Sequence, residues 1–181
     1  MIKNKPKILY VVTQGHWGGA QKYVLDLAEN AGSDFDITVA IGEPGYKPDL
    51  QRKLKEKGIQ HIQLHHLVRP ISPFHDLLAI FELRKLYKKI KPDIIHLNSS
   101  KASILGSMAA YNLVPSPYNL IYTVHGWVFN EPMPEWKKKL YIYLEKTTAK
   151  LKNKIIVLSE KEKQIALEVL QIPKEKLEIV P

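Results

Sequence analysis

The chain has 181 residues, 45% of them hydrophobic and 25% charged, which fits one globular domain with a substantial core. It contains no cysteine, so a disulfide scaffold, a Cys-ligated metal and a Cys nucleophile are all excluded. The 27 Lys and Arg residues outnumber the 18 Asp and Glu residues, and the resulting formal charge of +9 favours an anionic partner such as phosphate, nucleic acid or lipid headgroups.

Short apolar runs alternate with helical segments along the whole chain. The predicted strands are residues 7–12, 35–41, 59–64, 93–97, 119–124, 154–158 and 178–180. The predicted helices are residues 20–31, 49–57, 73–91, 99–111, 134–151 and 160–170. Strands joined by helices imply right-handed βαβ crossovers. The sequence therefore predicts a single α/β domain over residues 1–181, a doubly wound, Rossmann-like parallel sheet of about seven strands with helices on both faces.

Two of the predicted helices carry an apolar stripe that we expect to face the core. In the helix 20–31 this stripe consists of Tyr23, Val24, Leu27 and Ala31. In the helix 73–91 it consists of Phe74, Leu77, Leu78, Phe81 and Leu86.

The loop after the first predicted strand is the first candidate site, because ligands of such sheets bind beyond the carboxyl ends of the strands. Gly18 and Gly19 open the following helix, where backbone N–H groups can approach an anionic or hydroxyl-rich ligand. The spacing is not GxGxxG and no acidic residue convincingly closes the predicted second strand, residues 35–41, so a dinucleotide site is disfavoured. A tight turn without a ligand is the alternative.

His125, Gly126 and Trp127 follow the predicted strand 119–124 at the same edge of the sheet. His125 can hydrogen-bond a sugar hydroxyl or polarise a reacting oxygen. Gly126 allows the backbone close to a ligand, and Trp127 offers an apolar platform for a sugar face. A structural His–Trp pair is the alternative, but the position after a strand favours function.

Weaker candidates follow other strands. Ser99 is expected to cap the next helix, and Lys101 is a candidate for binding an anion because the helix dipole disfavours a cation in the first turn. Ser159 and Glu160 are explained by helix capping, with a ligand contact as the second interpretation. Arg69, in a loop before a helix, is a further candidate for a bound anion.

The histidines give no indication of a metal site. None of the seven lies at HxxxH or HExxH spacing on a helix, and no P-loop or GxSxG motif is present. His96 alternates with apolar neighbours in a predicted strand, so we expect it to be buried and hydrogen-bonded.

The segment 137–154 holds seven lysines and one acid, Glu145. A basic helix interleaved with aromatic residues is attracted to anionic lipid headgroups. The residues expected to face a membrane are Trp136, Lys137, Lys138, Lys139, Lys146 and Lys150. The alternative is a solvated face with Leu140, Tyr143, Leu144 and Leu151 turned to the core. No nucleic-acid partner is expected, because no RNP, helix-turn-helix or zinc motif is present.

Four segments, taken together, resemble the N-terminal domain of retaining GT-B glycosyltransferases of family 4, also called glycosyl transferase group 1. They are GGAQ at 18–21, PDIIHLNSSKA at 92–102, TVHGW at 123–127 and IIVLSE at 155–160. The resemblance implies two Rossmann-like domains facing across a cleft, with acceptor binding in the N-terminal domain. It also implies transfer from a nucleotide sugar to a glycan or lipid-linked acceptor with retention of configuration, and no metal or other cofactor.

Carried over to this sequence, the resemblance assigns His125 as the catalytic residue near the transferred sugar. It assigns substrate contacts to Gly18, Gly19, Gln21, Ser99, Lys101, Gly126 and Trp127. It places Ser159 and Glu160 on the donor side.

The E-x7-E domain that binds the nucleotide sugar in this family is absent from the 181 residues. Glu160 and Glu168 show the same spacing, but they belong to a helix of the N-terminal domain, so we interpret the match as coincidence. We therefore expect a piece of a longer enzyme, inactive alone, whose partner is the C-terminal domain of the same polypeptide.

Two other functions remain open from the sequence. One is a non-catalytic carbohydrate-binding or membrane-docking module that pairs with a separate catalytic chain. The other is half of a GT-B sugar-nucleotide epimerase, which is disfavoured because no acidic residue is convincingly placed in the strand-end loops.

No apolar run approaches the roughly 20 residues of a membrane-spanning helix, and no signal peptide is predicted. We expect a cytoplasmic location, with peripheral attachment to the inner face of the cell membrane as an added expectation.

Overall fold

The computed structural model of the chain describes residues 5–44, 47–113 and 119–180. Its strands are Lys7–Gln14 (β1), Asp36–Glu43 (β2), Gln60–Gln63 (β3), Ile94–Leu97 (β4), Asn119–Val124 (β5), Lys154–Val157 (β6) and Leu177–Ile179 (β7). Its α-helices are Gly19–Ala31 (α1), Asp49–Glu56 (α2), Pro73–Ile90 (α3), Ser100–Ala110 (α4), Glu135–Ala149 (α5) and Glu160–Glu168 (α6). Short 3₁₀ turns at Val128–Asn130 and Lys174–Lys176 were not predicted.

All seven strands form one parallel sheet in the order β3-β2-β1-β4-β5-β6-β7, which confirms the predicted doubly wound fold. From β1 the chain builds outward through β2 and β3, and after α3 it returns to build outward from β4 on the other side. The strand order therefore reverses between β1 and β4. Neighbouring loops diverge at such a point, and the crevice between them is where open α/β sheets bind ligands.

Two apolar cores cover the two faces of the sheet. Successive β1 side chains alternate between them: Leu9 and Val11 join the larger core, while Tyr10 and Val12 join the smaller. Buried residues of α3, α4, α5 and α6 complete the larger core, and those of α1 and α2 complete the smaller. Burial on both faces explains why β1 is almost continuously apolar.

The predicted core face of α1 was partly wrong. Val24 is fully buried as expected, but Leu25 and Ala28 accompany it, while Tyr23 and Leu27 are only half-buried. Ala31 is half-buried as well, but Leu27 and Ala31 both pack against the smaller core, as predicted, so Tyr23 is the residue that departs from the predicted face. The reason is a rotation of the helix that turns Tyr23 toward the carboxyl edge of the sheet, where its ring meets His96 and His125.

The predicted core face of α3 was largely wrong. Phe74, Leu77 and Phe81 are 69%, 54% and 59% exposed, and Leu78 is half-buried. The helix packs instead through Ala79, Leu83, Leu86 and Tyr87, of which only Leu86 was predicted. Because the first half of α3 is apolar nearly all round, periodicity alone could not select the face that packs.

Candidate functional site

A cavity of about 510 Å³ opens at the carboxyl edge of the sheet, next to the crevice between β1 and β4. It is lined by five of the residues predicted to bind a ligand, which come from the segments after β3, β4 and β5: Arg69, Ser99, Lys101, His125 and Gly126. The volume lies within the range of pockets that bind small molecules.

His125 occupies the rim of this cavity at the end of β5. Its Nε2 lies 3.4 Å from Asn98 Oδ1, and its ring makes an edge contact with Tyr23 at 5.0 Å. Burial lowers the pKa of His125 to about 4 because a desolvated imidazolium is disfavoured. Gly126 has a φ of 105°, a conformation that favours glycine, so the turn that follows His125 depends on that residue. The site therefore presents a neutral imidazole at pH 7.

His96 lies behind His125 in the sheet and is buried, as predicted. Its Nε2 is 2.7 Å from Thr123 Oγ1, and its ring centroid is 5.3 Å from that of Tyr10. Burial first, and the neighbouring His125 second, lower the pKa of His96 to about 3. The two histidines form a neutral pair that connects the sheet interior to the cavity rim.

The loop that carries Gly18 and Gly19 has free space beside its backbone. A Cβ at Gly19 would meet no atom within 4 Å, and one at Gly18 would meet only the Gln21 side chain, at 3.1 Å. Gln21 Nε2 donates to the Gln14 carbonyl at 2.9 Å, which fixes the first turn of α1 to the end of β1. A second cavity, of about 450 Å³, is lined by Gly19, Gln21, Tyr23 and His125. His125 thus stands between two cavities.

Ser99 and Lys101 hold the loops around the main cavity. Ser99 Oγ accepts the Ala102 N–H at 3.2 Å, which confirms the predicted cap, and it lies 2.6 Å from Thr13 Oγ1 at the end of β1. Lys101 Nζ is 2.6 Å from Asp76 Oδ1 and also donates to the Pro70 carbonyl. The charge of Lys101 is therefore balanced by a carboxylate of α3, and its geometry is that of a brace between α4 and α3.

The structure corrects the prediction for Trp127. Its side chain is 2% exposed, stacks on Phe129 at 5.7 Å and donates through its indole N–H to the Glu162 carbonyl at 3.0 Å. Burying a side chain with this much apolar surface stabilises the fold more than leaving it exposed to solvent. Trp127 therefore packs beneath the loop after β5. It lines a small cavity of about 330 Å³ beside Gly126 and not the main cavity.

Ser159 and Glu162 cap α6 reciprocally. Ser159 Oγ accepts the Glu162 N–H at 3.3 Å, and the Glu162 carboxylate accepts the Leu158 N–H at 2.9 Å. Ser159 also lines a small cavity of about 330 Å³ beside Gly126, whereas Glu160 is exposed and lies outside its lining.

The predicted membrane face of α5 is narrower than expected. Trp136 is 61% exposed, and Lys139 and Lys150 are exposed as well. Lys138 is half-buried, and Lys146 is half-buried and donates to Gln171. Lys137 was assigned to the same face but lines the main cavity.

The alternative for α5, a solvated face with four apolar residues turned inward, was wrong for Tyr143, which is 64% exposed. The structure instead buries two charged residues of this region, Glu145 and Lys152, with Lys152 Nζ 3.9 Å from Glu145 Oε2.

Among the helices in the described residues, none is long and apolar enough to cross a membrane.

Several residues of the main cavity were not singled out from the sequence. Glu131, Met133 and Tyr141 all follow β5, on the loop into α5 and its second turn. Their position after a strand is the one signal that could have found them. Within residues 5–44, 47–113 and 119–180, no group of three His, Asp or Glu residues is arranged to hold a metal ion.

The family model named Glycosyltransferase Family 4 matches residues 17–181. The chain belongs to this family. This family domain is 31% identical over 98% of its length to the UDP-Gal:alpha-D-GlcNAc-diphosphoundecaprenol alpha-1,3-galactosyltransferase of Escherichia coli, of which it covers 45%.

Solved structures agree on the fold of this family domain. A glycosyltransferase from Rickettsia africae matches 98% of the chain with a TM-score of 0.68 at 24% identity, and the match covers 43% of that protein. Anabaena Alr3699/HepE, solved in complex with UDP and glucose, matches 97% of the chain with a TM-score of 0.70 at 18% identity, and the match covers 44% of it. The chain thus spans about half the length of the proteins it matches.

Proposed function

We propose that the chain is the acceptor-binding N-terminal domain of a retaining glycosyltransferase, and that its activity requires a C-terminal domain carrying most of the donor site. The observation that carries this proposal is the position of His125 between two cavities. The cavity at the β1–β4 crevice receives the acceptor. The cavity beside Gly19 faces the donor, since backbone N–H groups at the start of a helix suit a diphosphate.

In this proposal, His125 binds the transferred sugar as a neutral hydrogen-bonding group. Its lowered pKa keeps the imidazole uncharged at pH 7, so a ring nitrogen can accept a hydrogen bond from a sugar hydroxyl. Gly126 lets the backbone approach the same sugar. The acceptor is a glycan or a lipid-linked glycan, in keeping with the diphosphoundecaprenol-linked acceptor in the name of the Escherichia coli relative.

The decisive experiment measures sugar transfer by a polypeptide that contains both domains. We expect His125→Ala to lower kcat/KM by about 10²-fold or more, because a positioned polar group at the reacting centre contributes on that scale. His65→Ala is the matched control, since His65 is exposed and lies outside both cavities. Wild-type turnover by His125→Ala would refute the role of His125.

The same assay tests the absence of a metal requirement and the stereochemistry. We expect unchanged transfer in EDTA, and an α-linked product from an α-linked nucleotide sugar by NMR. Loss of activity in EDTA would show a metal requirement, and a β-linked product would show inversion. If no nucleotide sugar is transferred or hydrolysed, the enzyme proposal fails and the binding-module alternative replaces it.

We further propose that the domain docks on an anionic membrane surface through the solvent faces of α5 and α3. On α5, Trp136, Lys139, Tyr143 and Lys150 recur at spacings of three, four and seven residues, which places them on one side of the helix. All four are exposed. Aromatic rings with lysines on one helical face match the polarity of a headgroup region.

On α3 the exposed side carries Phe74, Leu77 and Phe81, followed by exposed Lys85 and Lys88. α3 and α5 both pack against α4 on the same face of the sheet. Apolar residues flanked by lysines on neighbouring helices form a surface complementary to lipid. The area of contact is thus larger than the single helix predicted from the sequence.

Co-sedimentation with vesicles tests this surface. We expect binding to phosphatidylglycerol vesicles and weaker binding to phosphatidylcholine vesicles. Lys139→Gln with Lys150→Gln should weaken binding by about 1 kcal/mol per lysine, and Phe74→Ser with Phe81→Ser should weaken it further. Lys55→Gln is the control, because Lys55 is exposed on α2 across the sheet. Equal binding by all variants would refute the docking surface.

A further inference from the structure

Two cations from distant parts of the chain line the main cavity. Arg69 comes from the loop after β3, and Lys137 comes from the first turn of α5. Within the described residues neither forms an ion pair, and the Lys137 ammonium lies 5.4 Å from the centre of the exposed Trp136 ring. The third lining cation, Lys101, is paired with Asp76. Two unpaired positive charges on one small cavity attract an anion with more than one negative charge.

Tyr141 lines the same cavity as Arg69 and Lys137. Burial raises the pKa of Tyr141, the carboxylates of Asp76 and Glu131 raise it further, and Arg69 lowers it. Among the described residues that line the cavity, Glu131 is the one acid, against the three cations Arg69, Lys101 and Lys137. Lys101 holds the Pro70 carbonyl and so fixes the segment that carries Arg69.

The wall next to these cations is apolar. Ile71 and Met133 line the cavity and are half-buried, and the exposed side of α3 begins three residues after Ile71, at Phe74. Asp76, in the same turn as Phe74, is fixed to Lys101 at the cavity. A ligand leaving the cavity in this direction therefore meets hydrocarbon surface, which suits a prenyl chain and does not suit a polar nucleoside.

We propose that Arg69 and Lys137 form a subsite for the diphosphate of a prenyl-diphosphate-linked acceptor, whose prenyl chain leaves past Ile71 and Met133 toward α3. This subsite deepens the proposed function and rests on it. Arg69 supplies a planar fork that can bind two phosphate oxygens, and Lys137 supplies a mobile point charge. The acceptor sugar then lies at the opposite end of the cavity, beside Ser99 and His125.

Titration calorimetry on the chain itself tests the subsite without any catalytic step. The probe is farnesyl diphosphate below its micelle concentration, and UDP-glucose and inorganic pyrophosphate serve as the other diphosphate sources. We expect wild type to bind farnesyl diphosphate more tightly than either. Arg69→Gln and Lys137→Gln should each weaken farnesyl diphosphate binding about tenfold. Lys55→Gln, on α2 across the sheet, is the matched control and should leave it unchanged.

Each outcome decides the proposal. It is overturned if Arg69→Gln and Lys137→Gln bind farnesyl diphosphate like wild type, or if wild type does not bind it. If Arg69→Gln and Lys137→Gln lose only UDP-glucose binding, the two cations belong to the donor site. Thermal melting of each variant verifies folding, and Met133→Ser gives a second variant that should weaken farnesyl diphosphate binding but not pyrophosphate binding. The two proposals can fail separately. If the two-domain polypeptide transfers sugar but these variants bind farnesyl diphosphate like wild type, the proposed function holds and the subsite does not exist.

Discussion

At the scale of single residues, the buried histidine pair makes the domain sensitive to acid. In the unfolded chain both imidazoles take up a proton near their ordinary pKa of about 6.5, whereas the pKa values in the folded domain are lowered to about 3 for His96 and about 4 for His125. Between these limits the unfolded state binds more protons. The stability from the neutral pair is therefore complete above pH 6.5 and declines as the pH falls toward 4.

We expect the free energy of unfolding to fall between pH 7 and pH 5, with His96 responsible for up to roughly 2 kcal/mol of the decrease. Urea unfolding at the two pH values measures it. His96→Gln can retain a hydrogen bond to Thr123 and should show a shallower pH dependence than wild type. An NMR titration in which either imidazole is protonated at pH 6 would contradict this account.

At the scale of elements, Gly42 allows the loop that carries Arg69 to lie against the sheet. A Cβ at Gly42 would approach the backbone carbonyl oxygens of Leu67 and Thr13 to under 3.0 Å, and backbone atoms cannot move aside as a side chain can. The Glu43 N–H also donates to the Leu67 carbonyl at 2.9 Å. The close contact of β2, β1 and this loop therefore depends on glycine at this position.

Gly42→Ala should destabilise the domain by about 1–3 kcal/mol, the usual effect of overpacking. Gly19→Ala is the matched control, since its added Cβ meets nothing within 4 Å. Denaturant midpoints of the two variants give the comparison. If they were equally stable, the loop would have to be held more loosely than the structure shows.

The buried ion pair between α5 and the start of β6 gives a second element-scale prediction. Glu145 accepts from the Tyr122 hydroxyl at 3.3 Å, and Lys152 donates to Thr148 Oγ1 at 2.9 Å. Burial raises the pKa of Glu145, with Lys152 opposing it, and burial lowers the pKa of Lys152 to about 8, with Glu145 opposing it. Each charge is therefore tolerated in the core because of the other.

Lys152→Met should lower the free energy of unfolding by about 3 kcal/mol, because it leaves the Glu145 carboxylate buried without its counter-charge. The double variant Glu145→Gln, Lys152→Met should recover most of that loss. A double-mutant cycle by urea unfolding provides the measurement, and strictly additive effects would show that the two side chains do not interact.

At the scale of the whole molecule, the sequence was sufficient to predict the sheet and the edge at which the main cavity opens. Every predicted strand and helix exists with nearly the predicted bounds. Apolar runs mark the strands, and several helices begin or end beside glycine, proline or a serine at the N-cap. In a parallel sheet all carboxyl ends share one edge, so Ser99 and His125 could be placed together before their distance was known.

The orientation of individual side chains was not predictable in the same way. Trp127 and the apolar residues of α3 have similar hydrophobicity, yet Trp127 is buried and Phe74 and Phe81 are exposed. The difference depends on which helix lies over them, which is a property of tertiary packing. The same holds for Lys137, whose place in the cavity depends on the approach of the loop after β3 to α5.

The pairing of β1 with β4 also determines when the cavity forms during folding. Ile8 lies beside Ile94, and Thr13 contacts Ser99, across separations of 86 residues each. Closing a segment of that length has a large entropic cost, so we expect β1–β2 and β4–β5–β6 to form earlier as separate units. The walls of the main cavity belong to both units. Its geometry therefore arises when the two units of the sheet join, and a partly folded chain has strands and helices but lacks this cavity.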